Sequence, residues 1–232
     1  MRERKFVRLI PLLFAAIVLF VVPSVSASSS WFAGGQYNLA GNTGNWVDSN
    51  TGPVLKAPAL ENTFIWQGAT TNTNYFVQEV LRMHCQAGGG LCGWRVEFWS
   101  FNPSGNVVDE VLTNELQSPG CSEQYIQYFQ SSNSIFAAML GYQASQCESW
   151  SQSWTFNDVS YGTTMTYPEA LFESYDYACS DFQYNPSVQF TNGIYGLSGG
   201  TYGYPMFYVY DTGPSCIGVS AGYRYATVTF PS

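Results

Sequence analysis

Apolar and polar residues alternate through most of this chain, in the two-residue period of β-strands. Runs rich in Val, Ile, Tyr, Phe and Trp are separated by clusters of Gly, Pro, Asn and Ser, which favour turns. About ten runs are predicted as strands, at residues 63–66, 75–84, 94–101, 107–112, 134–142, 150–156, 163–177, 187–190, 205–210 and 223–230. Residues 110–116 and 122–129 are also compatible with short helical turns. The pattern predicts an all-β protein, an antiparallel β-sandwich of jelly-roll (concanavalin-like) type.

The N-terminal residues predict a secretory signal. Basic residues within positions 2–8 precede the apolar run 9–22, and the small residues at 25–27 suit a signal peptidase. We therefore expect residues 1–27 to be a signal peptide and residues 28–232 to form a single β-sandwich catalytic domain that is secreted to the extracellular space. An uncleaved N-terminal anchor is the alternative.

The charge balance narrows the partners. Four of the eight basic residues and one of the sixteen acidic residues lie in the predicted signal, which leaves four against fifteen and a net charge near −11. Nucleic acid and anionic membranes are therefore excluded as expected partners. Few positive charges would accumulate in acid, so the composition suits an acidic environment. A secreted protein kept soluble by neutral polar residues would share this composition.

Six cysteines follow the predicted signal, and their even number predicts a disulfide framework. Sequence proximity favours a Cys85–Cys92 pair. The simplest completion of the framework is Cys121–Cys147 with Cys179–Cys216.

The first of these pairs predicts the register of a hairpin. If Cys85 lies opposite Cys92, Gln78 lies opposite Trp99 and Val80 lies opposite Glu97. Gln78, Trp99 and Glu97 then share one face, where packing alone would favour apolar residues. The same register places Arg82 opposite Arg95, an unfavourable pair unless Glu97 lies diagonally between them. The expected core side chains of the hairpin are Tyr75, Val77, Leu81, Met83, Val96 and Phe98, whereas Glu79 has no evident place.

Two carboxylates occupy one face of a later strand. Glu169 and Glu173 are four residues apart, so their Cα atoms lie about 13 Å apart on that face. This distance is too long for a shared proton. One of the two is expected to carry out chemistry and the other to support it.

These segments together carry a resemblance. They resemble, in the same order along the chain, the motifs of the glutamic peptidases called eqolisins. The segments are Trp-Phe-Ala-Gly-Gly at 31–35, Phe-Ile-Trp-Gln-Gly at 64–68, Tyr-Phe-Val-Gln at 75–78, Gly-Trp-Arg-Val-Glu-Phe-Trp at 93–99 and Glu-Ala-Leu-Phe-Glu at 169–173.

The resemblance implies a secreted acid endopeptidase that acts on polypeptides as a monomer. Gln78 would be the catalytic glutamine and Glu169 or Glu173 the catalytic glutamate, with Glu169 favoured because it aligns with the first glutamate of the family strand. An ionised glutamate would activate water, and the carboxamide would stabilise the oxyanion. No metal and no cofactor is expected. The candidate substrate-binding residues are Trp31, Trp66, Trp94, Glu97 and Trp99.

Other chemistries have weaker support. His84 is the only histidine, and no Gly-x-Ser-x-Gly, His-Glu-x-x-His or phosphate-binding loop occurs. Asp176, Asp181 and Asp211 match no cation-binding loop. The rival function is a polysaccharide-binding or glycoside-hydrolysing jelly-roll protein, in which Glu97 would face Glu169 or Glu173 across a cleft. A surface-layer or adhesive protein is favoured by composition alone.

Overall fold

The computed structural model describes residues 30–38, 44–52, 63–85, 92–117, 122–129, 133–142, 149–175, 187–197 and 202–230. The predicted signal peptide and the predicted Cys121–Cys147 pair lie outside these residues, as does Cys179. Within them, no helix is long and apolar enough to cross a bilayer.

The described residues form β-strands arranged in two antiparallel layers. The first layer has the order β6-β5-β4-β3-β10-β1-β13. Its strands are β1 (Ser30–Asn38), β3 (Thr63–Thr71), β4 (Phe76–Cys85), β5 (Cys92–Phe101), β6 (Val107–Gln117), β10 (Met165–Tyr175) and β13 (Met206–Asp211).

The second layer has the order β9-β8-β7-β2-β11-β15-β14, with β12 beside β11. Its strands are β2 (Gly44–Gly52), β7 (Ser122–Phe129), β8 (Ile135–Tyr142), β9 (Trp150–Phe156), β11 (Val188–Leu197), β12 (Tyr202–Gly203), β14 (Gly218–Gly222) and β15 (Tyr225–Thr229). One residue pair, Met165 with Gly44, links the two layers. The predicted all-β sandwich is confirmed.

Two local expectations are wrong. The segments proposed as possible helical turns, residues 110–116 and 122–129, are strands β6 and β7. Strand β7 lies between β2 and β8 and is paired to both along its length. Pairing on both edges satisfies its backbone groups, so the tertiary context overrides the weak local pattern.

The interior between the layers is filled by alternate side chains of each strand. In the β4–β5 hairpin the buried residues are Val77, Leu81, Met83, Val96 and Phe98, as predicted, and Tyr75 packs at the margin of the core. The predicted register is also confirmed: Cys85 is opposite Cys92, and Gln78 is opposite Trp99. The disulfide between these two cysteines remains a prediction.

Glu79 points into this interior and is fully buried. It lies opposite Gln67 of β3. Burial raises its pKa well above the usual value, and the charge of Asp48 adds to the rise. The strand therefore presents a buried carboxyl group on its inner face directly beside Gln78 on its outer face.

Candidate active site

One row of residues crosses the outer, concave face of the first layer. Gln78 on β4, Gly68 on β3 and Glu169 on β10 lie directly opposite one another. Trp99 on β5 and Gln36 on β1 extend the row at its two ends. Because directly paired residues project to the same side of a sheet, the carboxamide and the carboxylate face the same space. Two interstrand spacings separate them, about 10 Å between Cα atoms.

Gly68 keeps the space between these two side chains open. A Cβ atom at this position would lie 2.5 Å from Cζ of Phe76 and 3.0 Å from Cζ3 of Trp66. Contacts this short require the rings to move. A larger residue at this position would therefore fill the space that a reacting group needs.

A β-bulge sets the position of Glu169. The register of β10 against β3 shifts between Thr166 and Glu169, and Tyr167 has a positive φ of 47°. Pro168 lies within the irregular segment, where its missing N–H costs no ladder hydrogen bond. Bulges commonly re-aim a side chain beside a functional site, and here the bulge brings Glu169 into the row with Gln78.

Glu169 is largely withdrawn from water yet hydrogen-bonded. Its Oε2 atom accepts a hydrogen bond of 3.1 Å from Nε2 of Gln36. Burial raises the pKa of Glu169, and the hydrogen bond from Gln36 counteracts part of that rise. A carboxylate whose pKa is raised by burial and lowered in part by a donor has the chemistry to accept a proton and return it.

Glu173 is held more firmly at the side of the site. Its Oε2 atom accepts a hydrogen bond of 2.9 Å from Nε1 of Trp66. Burial raises its pKa, and hydrogen bonds from Tyr175 and Trp66 lower it in part. It lies opposite Phe64 of β3, one strand from Arg82. Glu173 thus faces the same cleft but lies outside the row that joins Gln78 to Glu169.

A cleft of about 520 Å³ collects these groups, and Gln78, Glu169 and Glu173 all line it. Its walls are mainly aromatic. The rings of Tyr210, Phe32, Trp66, Phe76 and Phe101 follow one another with centroid separations between 5.7 and 6.4 Å. The hairpin between β5 and β6 closes one end with Asn102, Pro103 and Gly105. A concave apolar site with a few convergent polar groups is the form that binding sites usually take.

The predicted substrate-binding residues fare differently. Trp66 lines the cleft, and Trp99 lies on the same face, stacked on Phe101 at 6.1 Å. Trp94 requires a correction: it is 1% exposed and packs in the core, because it shares the inner face with Val96 and Phe98. The side chain of Trp31 lies outside the described part of the chain.

Glu97 is a structural residue in its surroundings. It is fully buried and accepts hydrogen bonds from Arg95 and from Nε1 of Trp99, at 2.7 and 3.0 Å. Nη1 of Arg82 lies 3.6 Å away, so this carboxylate relieves the repulsion between the facing arginines, as the sequence predicts. Three strand spacings separate its strand from β10, about 14 Å, whereas a retaining glycosidase needs carboxyl groups about 5 Å apart. The glycosidase pairing is therefore not formed.

Sequence reasoning missed two residues that shape the site. In the sequence, Gly68 is the last residue of a motif and Gln36 is one polar residue near the start of the domain. Neither position carries a signal that points to the site. The strand signal at 63–66 stopped short of Gly68, which lies within β3. Pairing between β1 and β10, which are far apart in sequence, could not be deduced from local pattern.

Comparison with known proteins finds similar solved structures but no similar sequence family. No family model matches the chain, and no curated protein does. A crystal structure of scytalido-glutamic peptidase with a peptide-based transition-state analogue is 14% identical, with a TM-score of 0.55, over 88% of this chain and 99% of that chain. The structure with a transition-state analogue inhibitor is 15% identical, with a TM-score of 0.56 and the same coverage. At this identity the similarity establishes a shared fold: the chain has the β-sandwich architecture of the glutamic peptidase structures.

Proposed function

We propose that this protein is a secreted acid endopeptidase of the glutamic type. The observation that carries the proposal is the row in which Gln78 and Glu169 flank Gly68 above one aromatic cleft. The fold shared with scytalido-glutamic peptidase supports it, since the solved structures of that enzyme contain transition-state analogues. The motif resemblance to eqolisins is a third support.

The proposed reaction uses no cofactor. The ionised carboxylate of Glu169 removes a proton from a water molecule while the water oxygen attacks the peptide carbonyl carbon. The carbonyl oxygen becomes an oxyanion and accepts a hydrogen bond from the carboxamide N–H of Gln78. Glu169 then returns its proton to the amide nitrogen, the C–N bond breaks, and a carboxylic acid and an amine leave. Gln36 orients the carboxylate through its bond to Oε2.

Acid conditions follow from the environment of the carboxyl groups. Burial raises the pKa of Glu169 and the hydrogen bond from Gln36 opposes part of that rise, so its working range lies above that of an exposed glutamate. The scarcity of basic residues in the mature chain favours the same conditions. Secretion rests on the predicted signal at residues 1–27.

Digestion of an acid-denatured protein by the secreted chain, measured in steps from about pH 3 to about pH 6, tests the proposal. Cleavage should persist in the presence of pepstatin, because the described lining of the cleft contains no pair of adjacent aspartates for that inhibitor to bridge. The Glu169→Gln variant, purified identically, controls for contaminating peptidases. Equal cleavage by the wild type and this variant would contradict the proposal.

A further inference from the structure

The C-terminal strands carry a cluster of exposed tyrosines. Tyr202 and Tyr204 have ring centroids 5.6 Å apart, and Tyr204 and Tyr223 have centroids 6.3 Å apart. The guanidinium carbon of Arg224 lies 4.1 Å from the centre of the Tyr204 ring. Tyr202 and Tyr223 are 61% and 58% exposed. Contiguous exposed rings of this kind usually mark a binding surface.

This tyrosine cluster is continuous with the aromatic cleft. Met206 forms a bridge opposite Tyr223, so the two side chains project to the same side. Every second residue of β13 projects onto the concave face, and these residues are Met206, Tyr208 and Tyr210. Tyr208 lies opposite Gln36 of β1. Tyr208 is 57% exposed, whereas Tyr210 already lines the cleft. The strand therefore connects the cluster to the row of Gln78 and Glu169.

We propose that this surface, Tyr202, Tyr204, Met206, Tyr208 and Tyr223, is an exosite for the polypeptide substrate of the cleft. It binds apolar and aromatic side chains several residues away from the bond that is cleaved. The inference rests on the proposed peptidase function and extends it: the preferred substrate is a long, unfolded, apolar-rich chain rather than a short peptide.

The geometry gives the length of chain required. Tyr208 is two interstrand spacings from Glu169, about 10 Å, or about three residues of extended chain. Tyr223 is about 10 Å farther by way of Met206, which places the tyrosine cluster about six residues from the scissile bond. A substrate with only about three residues on that side reaches Tyr208 at most, whereas one with about eight residues reaches the whole exosite.

The chemistry of the surface favours a polypeptide. Its members combine an apolar ring with a phenolic hydroxyl, which suits apolar side chains together with the polar backbone of an extended chain. Arg224 is a charged side chain in contact with the cluster. Although the protein as a whole is anionic, this part of its surface carries a positive charge and therefore does not repel acidic chains. An uncharged polysaccharide is the competing ligand and is distinguished by the test.

The test uses two internally quenched peptides with one cleavage sequence, extended on both sides by about three or about eight apolar-rich residues. The double variant Tyr204→Ser/Tyr223→Ser is compared with the wild type. Tyr225→Ser is the matched control, because Tyr225 is 42% exposed on β15 but projects away from the core-facing Ala226 on the outer side of the second layer. Thermal melts of all three proteins establish that the fold is retained.

For the wild type, kcat/KM for the long peptide should exceed that for the short peptide by at least about tenfold, mainly through KM. The double variant should lose this preference while its kcat/KM for the short peptide stays within about twofold. The control should keep the preference. An unchanged preference for the long peptide in the double variant would overturn the exosite. If, in addition, the wild type binds insoluble cellulose or chitin and the double variant does not, the surface is a polysaccharide site instead.

Binding in an inactive background separates this inference from the proposed function. In Glu169→Gln, the long peptide should bind at least about tenfold more tightly than the short one, and the two tyrosine substitutions should abolish the difference. If the wild type cleaves neither peptide but this difference is present, the peptidase proposal fails and the exosite stands. Equal binding of the two peptides to Glu169→Gln overturns the exosite regardless of turnover.

Discussion

The roles of Gln78, Glu169 and Glu173 lead to the most decisive prediction. A reacting peptide must place its carbonyl between a water held by the carboxylate and a hydrogen bond from the carboxamide. Those contacts, laid end to end, span at most about 10 Å. The Cα atoms of Gln78 and Glu169 are two interstrand spacings apart, about 10 Å, with Gly68 between them. Their side chains rise side by side from the same face of the sheet, so their polar ends can bracket a group of this size. The row therefore matches the size of the reacting group.

Glu173 does not match it. Four residues along β10 displace it by about 13 Å, which places its Cα about 16 Å from that of Gln78. Glu173 is therefore the matched control for Glu169, because it is the same residue type on the same strand and the same face. Burial raises the pKa of both carboxyl groups.

The expected kinetic changes follow from these positions. Glu169→Gln should lower kcat by about 10²–10⁴-fold, since an amide cannot accept the proton of water. Gln78→Ala should lower it by about 10²–10³-fold, the cost of one oxyanion donor. The double variant should be little worse than the weaker single variant, because both groups serve one step. Glu173→Gln should change kcat by less than about tenfold.

The assay is the initial rate of hydrolysis of one quenched peptide at saturating concentration, with a thermal melt of each variant. Unchanged activity in Gln78→Ala would refute the oxyanion role. An inactive Glu173→Gln beside an active Glu169→Gln would reverse the assignment of the two glutamates.

Three further predictions follow from neighbouring residues. Gly68→Ala should reduce kcat/KM at least about tenfold and destabilise the fold by about 1–3 kcal/mol, because its Cβ would lie 2.5 Å from Phe76; a fully active, equally stable variant would contradict this. Gln36→Met should move the acid limb of the kcat profile to higher pH, since the hydrogen bond that lowers the pKa of Glu169 is lost; an unmoved limb would show that Glu169 does not set it. Glu79→Gln should raise the melting temperature at about pH 8, where the buried carboxyl group ionises, and leave it nearly unchanged at about pH 4. The control Glu110→Gln, at an exposed position of β6, should change the melting temperature at neither pH. Equal gains at both pH values would exclude titration of Glu79 as the cause.

The sequence predicts the hairpin of β4 and β5 well because its information is local. The alternation places Gln78 and Glu97 on one face, and the cysteine spacing sets the register. The same parity places Trp94 with Val96 and Phe98, so its assignment to substrate binding contradicted a signal already present in the strand. The motif resemblance outweighed that signal.

The assembly of the site could not be predicted in the same way. Glu169 meets Gln78 through β3, and Gln36 comes from β1, about 130 residues before its partner in sequence. Such pairings depend on the order of strands in the layer, which alternation does not encode. The bulge at Thr166 to Glu169 is also invisible in a two-residue period, although Pro168 is a local sign that regular pairing fails there.

Stability and catalysis place opposite demands on the carboxyl groups, and together they define the working range. Glu79, Glu169 and Glu173 have folded-state pKa values raised by burial, so each stabilises the fold most below about pH 4.5, and this contribution is lost as pH rises through the folded pKa. The proposed mechanism instead requires Glu169 to be ionised. Under the proposed mechanism we expect activity to fall on the acid side as Glu169 becomes protonated, and stability to fall on the alkaline side as the fully buried Glu79 ionises. In that mechanism the hydrogen bond from Gln36 widens the interval at its acid end, because it lowers the pKa of Glu169.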